Sequence, residues 1–152
     1  MNWKKFLIAF IAVWIFTFIY GFVFHGMIMH STYQQIPGLL RPDAEFKANF
    51  PLLVLGQGVI AFFFTLIFVR GFGSGGGVAG GFRYGLLLGL LFCGADLIRY
   101  AVEPLTTTIL IAWCIGVIVL FGIAGLIVGT LYKGRDDIDL AARFTGPSGT
   151  GK

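Results

Sequence analysis

The chain has 152 residues, of which 57% are hydrophobic and only 12% are charged. A soluble domain carries about a quarter charged residues, so this composition excludes an ordinary water-soluble protein. The formal net charge is +4, and the basic residues are spread along the chain where they would signal membrane topology. That distribution argues against nucleic acid as a partner.

Four runs of mostly apolar residues are each long enough to cross a membrane, which takes about 18 residues or more. They lie at about residues 6–24, 52–69, 82–100 and 106–132. We therefore predict an all-α membrane protein, an antiparallel four-helix transmembrane bundle in which residues 1–132 form a single domain. We predict that residues 133–152 form a flexible cytoplasmic tail.

Basic residues flank the runs mainly on one side of this even-numbered topology. Lys4 and Lys5 precede the first run, and Arg70 and Arg83 flank the loop between the second and third runs. Basic residues concentrate on the cytoplasmic side of membrane proteins, so both termini are predicted to be cytoplasmic. The first run is longer than a signal-peptide core and no cleavage site follows it, so we predict a retained span.

The segment R-P-D-A-E-F-K-A-N-F-P precedes the second run and has the signals of a short helix. Pro42 suits the first helical position, and Asp43 lies four residues before Lys47, a spacing that favours an ion pair. Pro51 marks the boundary with the second span. We expect a short interfacial helix here, on the outer side of the membrane.

Two glycine-rich stretches match nucleotide-binding patterns without their structural context. Gly71, Gly73 and Gly76 form G-x-G-x-x-G after a membrane span, whereas a dinucleotide site needs a preceding strand. The C-terminal G-P-S-G-T-G-K lacks the Ser or Thr that binds magnesium and the helix that faces the phosphates. We interpret the two stretches as a flexible linker and a tail, and expect no nucleotide partner.

Glycines recur every four residues in the third and fourth spans. Gly81, Gly85 and Gly89 form one row, and Gly125 and Gly129 form another. Small residues at this spacing let helix backbones approach closely in lipid. We predict that the third and fourth spans pack against each other, and the alternative is a homo-oligomer face.

Charged residues within the third span define the candidate site. Asp96, Arg99 and Glu103 share one helical face, and charges inside a membrane helix need partners or a function. One interpretation is an intrahelical salt bridge in which Arg99 neutralises both carboxylates. The other is a polar pocket, open to the outer side, that binds an ion, a proton or a small polar solute. Its candidate residues are Asp96, Arg99, Glu103, His25, His30 and Gln57.

Neither a metal site nor an enzyme is predicted. The imidazoles and thioethers of H-G-M-I-M-H suit copper(I), but His25 and His30 are five residues apart and do not converge on a regular helix. No catalytic signature is apparent. We therefore expect no metal, no cofactor and no enzymatic activity.

Three short stretches resemble the small, uncharacterised four-span proteins of bacterial inner membranes. They are residues 20–26 (Y-G-F-V-F-H-G), 40–47 (L-R-P-D-A-E-F-K) and 81–89 (G-F-R-Y-G-L-L-L-G). The resemblance covers roughly residues 1–133. It implies the four-span topology and a bacterial inner-membrane location, and it transfers no site residues.

The function expected from these features is that of a non-enzymatic accessory or scaffold protein. Its expected partners are the lipid bilayer and either a larger membrane complex or further copies of itself. The alternative is a minimal transporter or channel component that uses the outer polar pocket.

Overall fold

A computed structural model describes residues 1–72 and 76–132, and these residues form helices and no strands. Four helical units are long and apolar enough to cross a membrane. The predicted tail, residues 133–152, lies outside the described residues. The elements are α1 (Trp3–Gly21), a π-helical segment (Phe22–Ile28), α2 (His30–Tyr33), α3 (Asp43–Gly71), α4 (Gly77–Val102) and α5 (Thr107–Leu131).

Local caps set several of the helix ends. The Asn2 side chain accepts a hydrogen bond from the Lys5 amide at 3.1 Å, at the start of α1. The Thr106 hydroxyl accepts one from the Ile109 amide at 3.4 Å, at the start of α5. The backbone is extended at Glu103, directly before a proline, and this ends α4. Each cap replaces a hydrogen bond that the helix itself cannot supply.

α3 is longer than predicted because it runs through Pro51. The expected short helix is not a separate element: residues 43–50 form the first turns of α3. Proline removes one backbone hydrogen bond, and long membrane helices tolerate that loss when neighbouring groups compensate for it. The predicted Asp43–Lys47 ion pair is not formed. Among the described residues of this stretch, Arg41 pairs with Glu45 instead, at 3.4 Å.

The core of the bundle is aromatic. Phe64 and Phe68 of α3 and Phe121 of α5 are at most 3% exposed. Tyr84 of α4 donates a hydrogen bond from its hydroxyl to the Phe64 carbonyl at 2.8 Å, and its ring lies 4.8 Å from the Phe64 ring. The hydroxyl therefore has an acceptor within the apolar core, which removes the cost of burying it.

α4 and α5 approach each other most closely along a line of glycines. A Cβ atom placed on Gly81 would collide with the Gly125 carbonyl oxygen and would lie 2.9 Å from the Gly129 Cα. A Cβ atom on Gly125 would collide in turn with the Gly81 carbonyl. The two backbones therefore touch, and only glycine fits at these positions.

The same close approach continues along α4. A Cβ atom on Gly85 would collide with the Phe121 carbonyl, and one on Gly89 would lie 2.8 Å from the Ile118 Cα. The contacts descend α5 as they ascend α4, so the two helices are antiparallel. We call this line of contact the glycine seam. Its members are Gly81, Gly85, Gly89, Gly125 and Gly129.

The predicted glycine linker is shorter than its composition suggests. α4 begins at Gly77, so residues 77–81, expected in the loop, are helical. Glycine destabilises a helix by about 1 kcal/mol relative to alanine. Here the Gly77 carbonyl contacts Gly129 directly, and close backbone packing offsets that cost. Gly77 has a φ of +47°, a conformation that side-chain-bearing residues rarely adopt.

The two ends of the bundle differ in chemistry. The basic end carries both Lys4 and Lys5 and the end of α3 at Gly71, whereas the histidine end carries His25 and His30. Phe6 packs on Phe62 and Phe18 packs on Phe50, with ring centroids 5.5 and 6.1 Å apart, so α1 and α3 are antiparallel. Which end faces the cytoplasm remains a prediction.

Candidate functional site

The π-helical segment at the end of α1 places His25. The Met29 amide donates to the Phe24 carbonyl, five residues earlier, at 2.9 Å. A turn of this kind holds one more residue than an α-helical turn and is frequent at functional sites. The chain then turns into α2, which brings Tyr33 back towards His25.

The Tyr33 hydroxyl lies between two nitrogen atoms from different elements. It is 2.6 Å from His25 Nδ1, and it accepts a hydrogen bond from Trp113 Nε1 at 2.6 Å. Because an indole can only donate, the hydroxyl proton is free to bind Nδ1, which leaves the other imidazole nitrogen protonated. Burial raises the pKa of the Tyr33 hydroxyl, and the hydrogen bond from Trp113 opposes part of that rise. The hydroxyl therefore remains a donor at neutral pH.

Arg99 of α4 contacts the face of the same Trp113 ring. Its guanidinium carbon lies 4.4 Å from the centre of the Trp113 ring, a cation–π contact. Two of its nitrogens donate to the two carboxylate oxygens of Glu103, each at 3.0 Å. These bonds hold the pKa of the Glu103 carboxyl below its ordinary value. A two-point pair of this geometry fixes the orientation of the guanidinium plane.

These contacts join the π-helical segment, α2, α4 and α5. The histidine-end cluster, as we define it, consists of His25, Tyr33, Arg99, Glu103 and Trp113. A small apolar core lies beneath it, because Met29, Leu105 and Ile109 are buried against Tyr33 and Trp113. The site is therefore a set of interacting polar side chains that packs on a separate apolar core.

Asp96 stands apart from the cluster. Within the described part of the chain, no cation lies within 4.0 Å of its carboxylate, and it is half-buried in α4. Arg99 turns towards Glu103 instead, where it gains two hydrogen bonds and the face of Trp113. The predicted salt bridge that neutralises both carboxylates thus forms with Glu103 alone.

His30 and Gln57 take other partners. His30 Nε2 lies 3.0 Å from the Gln34 amide nitrogen at an exposed position. Gln57 packs against α1, where a Cβ on Gly21 would lie 3.0 Å from its side-chain nitrogen. The Gln57 side-chain oxygen is buried without a hydrogen-bond partner. Of the six predicted pocket residues, the fold links His25, Arg99 and Glu103 through Tyr33 and Trp113.

No group of three or more His, Cys, Asp or Glu side chains converges among the described residues. His25 binds Tyr33 and His30 binds Gln34, so the two imidazoles point to different partners. Met29 is buried, whereas Met27 is 65% exposed. The described part of the chain therefore offers no preformed metal-ligand set in this motif.

Tyr33 and Trp113 belong to the cluster but were not among the predicted pocket residues. Trp113 lies about two turns into α5, within an apolar run, where aromatic residues usually serve as packing. A signal did exist for Trp113, because a buried indole N–H needs a hydrogen-bond acceptor. Its partner, Tyr33, comes from an element 80 residues earlier, and sequence spacing does not reveal that pairing.

No protein-family model, curated protein or solved structure matches this chain. The four long apolar helices make it a multi-pass membrane protein. Any more specific role must therefore be argued from the arrangement of its own residues.

Proposed function

We propose that this protein is a non-enzymatic accessory or scaffold protein of a bacterial inner membrane, with both termini in the cytoplasm. The basic residues at the basic end support that orientation, since Lys4, Lys5 and Arg70 lie beside the predicted cytoplasmic ends of the helices. The topology and the location rest on this charge pattern and on the resemblance of the three short stretches.

The observation that carries the scaffold role is the mutual satisfaction of the polar groups in the histidine-end cluster. Arg99 is engaged by Glu103 and Trp113, and the Tyr33 hydroxyl is engaged on both sides. A transport site needs polar groups that are free to exchange partners. Groups that bind one another across four helical elements instead hold a surface in one shape.

Affinity purification in a mild detergent tests this role. A tagged copy expressed at native level is purified beside an unrelated tagged four-span membrane protein. A scaffold is expected to bring a defined larger complex that the control does not bring. Recovery of a lone monomer at every detergent concentration would contradict the proposal.

A second candidate function, a minimal transporter or channel component, is favoured by Asp96 and Gln57. A carboxylate without an ion pair and a buried amide oxygen without a donor are the described groups most able to bind a passing ion or polar solute. Asp96 lies nearer the histidine end of α4 than the basic end, and Gln57 lies at the midpoint of α3.

Thiol labelling separates the two candidates. Asp96→Cys is made in a background free of Cys93 and Cys114 and is treated with a polar reagent that does not cross the membrane. Leu90→Cys, on a 59% exposed apolar position of α4, is the lipid-facing control, and Glu103→Cys is the solvent-facing control. Labelling at position 96 supports a water-filled path. Labelling at position 103 alone rejects it.

A further inference from the structure

An apolar groove of about 640 Å³ runs along the bundle surface between α1 and α3. Phe10 and Trp14 line its α1 side, and Val54, Leu55 and Gly58 line its α3 side. At Gly58 the Trp14 ring packs directly on the α3 backbone, since a Cβ there would lie 3.3 Å from the ring. Its volume falls in the range of small-molecule sites, about 300–1,000 Å³.

The groove is long enough to cross one half of a membrane. Its α3 residues extend from Phe50 to Phe63, which at a rise of 1.5 Å per residue is about 20 Å. A single leaflet supplies about half of the roughly 30 Å hydrocarbon core. The groove can therefore hold the acyl chain of one lipid along its length.

The width of the groove suits a single hydrocarbon chain. Spread over that length, 640 Å³ corresponds to a mean cross-section of about 33 Å². An α-helix with a diameter of about 10 Å has more than twice that cross-section, so a helix would lie over the groove rather than within it.

Lys47 lies on α3 just beyond the histidine-end limit of the groove. It lies four residues before Pro51 and eight before Leu55, so it continues the same stripe of α3 by about one turn. Its neighbour Arg41 is occupied by Glu45, whereas Lys47 has no ion pair within 4.0 Å among the described residues. The Asp43 carboxylate, one turn before Lys47, is the nearest competing charge along the helix.

We propose that this groove is a binding site for an anionic phospholipid. One acyl chain lies against Trp14 and Gly58, and the Lys47 ammonium contacts the headgroup phosphate. The stripe that lines the groove thus ends in a cation at the level where the phosphate of a lipid in that leaflet would lie. This inference does not depend on the scaffold role.

Native mass spectrometry of the whole protein tests the site. The protein is released from nanodiscs that contain equal amounts of phosphatidylglycerol and phosphatidylcholine with identical acyl chains. We expect one retained phosphatidylglycerol per protein. Lys47→Gln should reduce the preference for phosphatidylglycerol about fivefold, the effect of one basic residue near an anionic surface. Arg41→Gln, at the same end of α3, is the matched control and should change it less.

A substitution that fills the groove provides an independent test of the lipid site. Leu55→Trp places an indole in the groove and should abolish retention of either lipid. Leu87→Trp is its control, because Leu55 and Leu87 are both 62% exposed and only Leu55 lines the groove. Equal retention by these two variants, or the absence of retained lipid in the wild type, would overturn the site. A dimer that Leu55→Trp dissociates would overturn it as well, since a second copy would then fill the groove.

Discussion

The glycine seam and the histidine-end cluster join α4 to α5 by opposite means. Along the seam, backbone touches backbone at Gly81 and Gly125, and no side chain intervenes. In the cluster, Arg99 and Trp113 bridge the same two helices through long side chains at 4.4 Å. The seam requires residues without a Cβ atom, whereas the cluster requires particular polar and aromatic side chains.

This difference separates two sources of stability in one helix pair. The seam gains dispersion contacts and tolerates no added volume, because packed backbones cannot move aside. The cluster gains hydrogen bonds and a cation–π contact, each of which can be removed singly without creating a clash. Substitutions should therefore cost most in the seam and progressively less across the cluster.

Gly85→Ala should have the largest effect. The new Cβ would collide with the Phe121 carbonyl, and we expect a loss of about 3 kcal/mol, the upper part of the range for overpacking. Reversible unfolding by sodium dodecyl sulfate in mixed micelles measures it. Gly94→Ala is the control on the same helix, because nothing lies within 4 Å of its Cβ position. Equal changes in the two variants would contradict the seam.

Tyr33→Phe should have the next largest effect. It removes the hydroxyl that accepts from Trp113, and a buried donor left without a partner costs about 1–3 kcal/mol. The same unfolding measurement applies. Tyr100→Phe is the matched control, since its hydroxyl pairs with Thr107 at an exposed position and water can replace it. A Tyr33→Phe variant as stable as Tyr100→Phe would show that the buried hydrogen bond contributes little.

Arg99→Lys should cost less, about 0.5–1 kcal/mol. Lysine keeps the positive charge beside Glu103 but loses the planar group that lies on the Trp113 ring. A double-mutant cycle with Trp113→Leu, which removes the aromatic ring, measures how much of the cost of Arg99→Lys depends on the contact with the indole. Zero coupling would mean that the guanidinium and the indole are neighbours without a net interaction.

Glu103→Gln should give the smallest effect, and that effect should depend on pH. The hydrogen bonds from Arg99 lower the pKa of Glu103 in the folded protein. The carboxylate therefore stabilises the fold above its unfolded pKa of about 4.3, and this contribution is lost as the pH falls through the lower folded value. The difference in stability between wild type and variant should vanish in that acidic window. In an Arg99→Gln background, Glu103→Gln should produce no such pH dependence.

The sequence was sufficient for the features that depend on local composition. Apolar run length predicted the four membrane-spanning helices, because a helix in lipid must satisfy its backbone internally over the full membrane thickness. The helix ends were harder. Pro51 lies within α3 and residues 77–81 lie within α4, although proline and glycine are typical helix breakers. For the glycines, close packing against α5 outweighed the local preference.

The candidate site was predicted less completely, for a physical reason. The spacing of Asp96, Arg99 and Glu103 places both carboxylates within reach of the guanidinium, and spacing alone cannot rank them. Arg99 pairs with Glu103 in the position where its guanidinium also lies on the ring of Trp113. Trp113 belongs to a different helix, so the spacing within α4 does not reveal this contact. Tyr33 reaches that indole only through the turn that follows the π-helical segment.

The π-helical segment Phe22–Ile28 implies that chain length, as well as residue identity, encodes the cluster. A wider turn holds an additional residue, and deletion of one residue would restore regular α-helical spacing. Every side chain beyond the deletion would then rotate by about 100° about the helix axis. Such a variant would retain every residue of the cluster, yet His25 and Tyr33 would no longer face each other. The number of residues in this turn therefore determines whether the cluster forms. A comparison of residue types alone would not reveal that dependence.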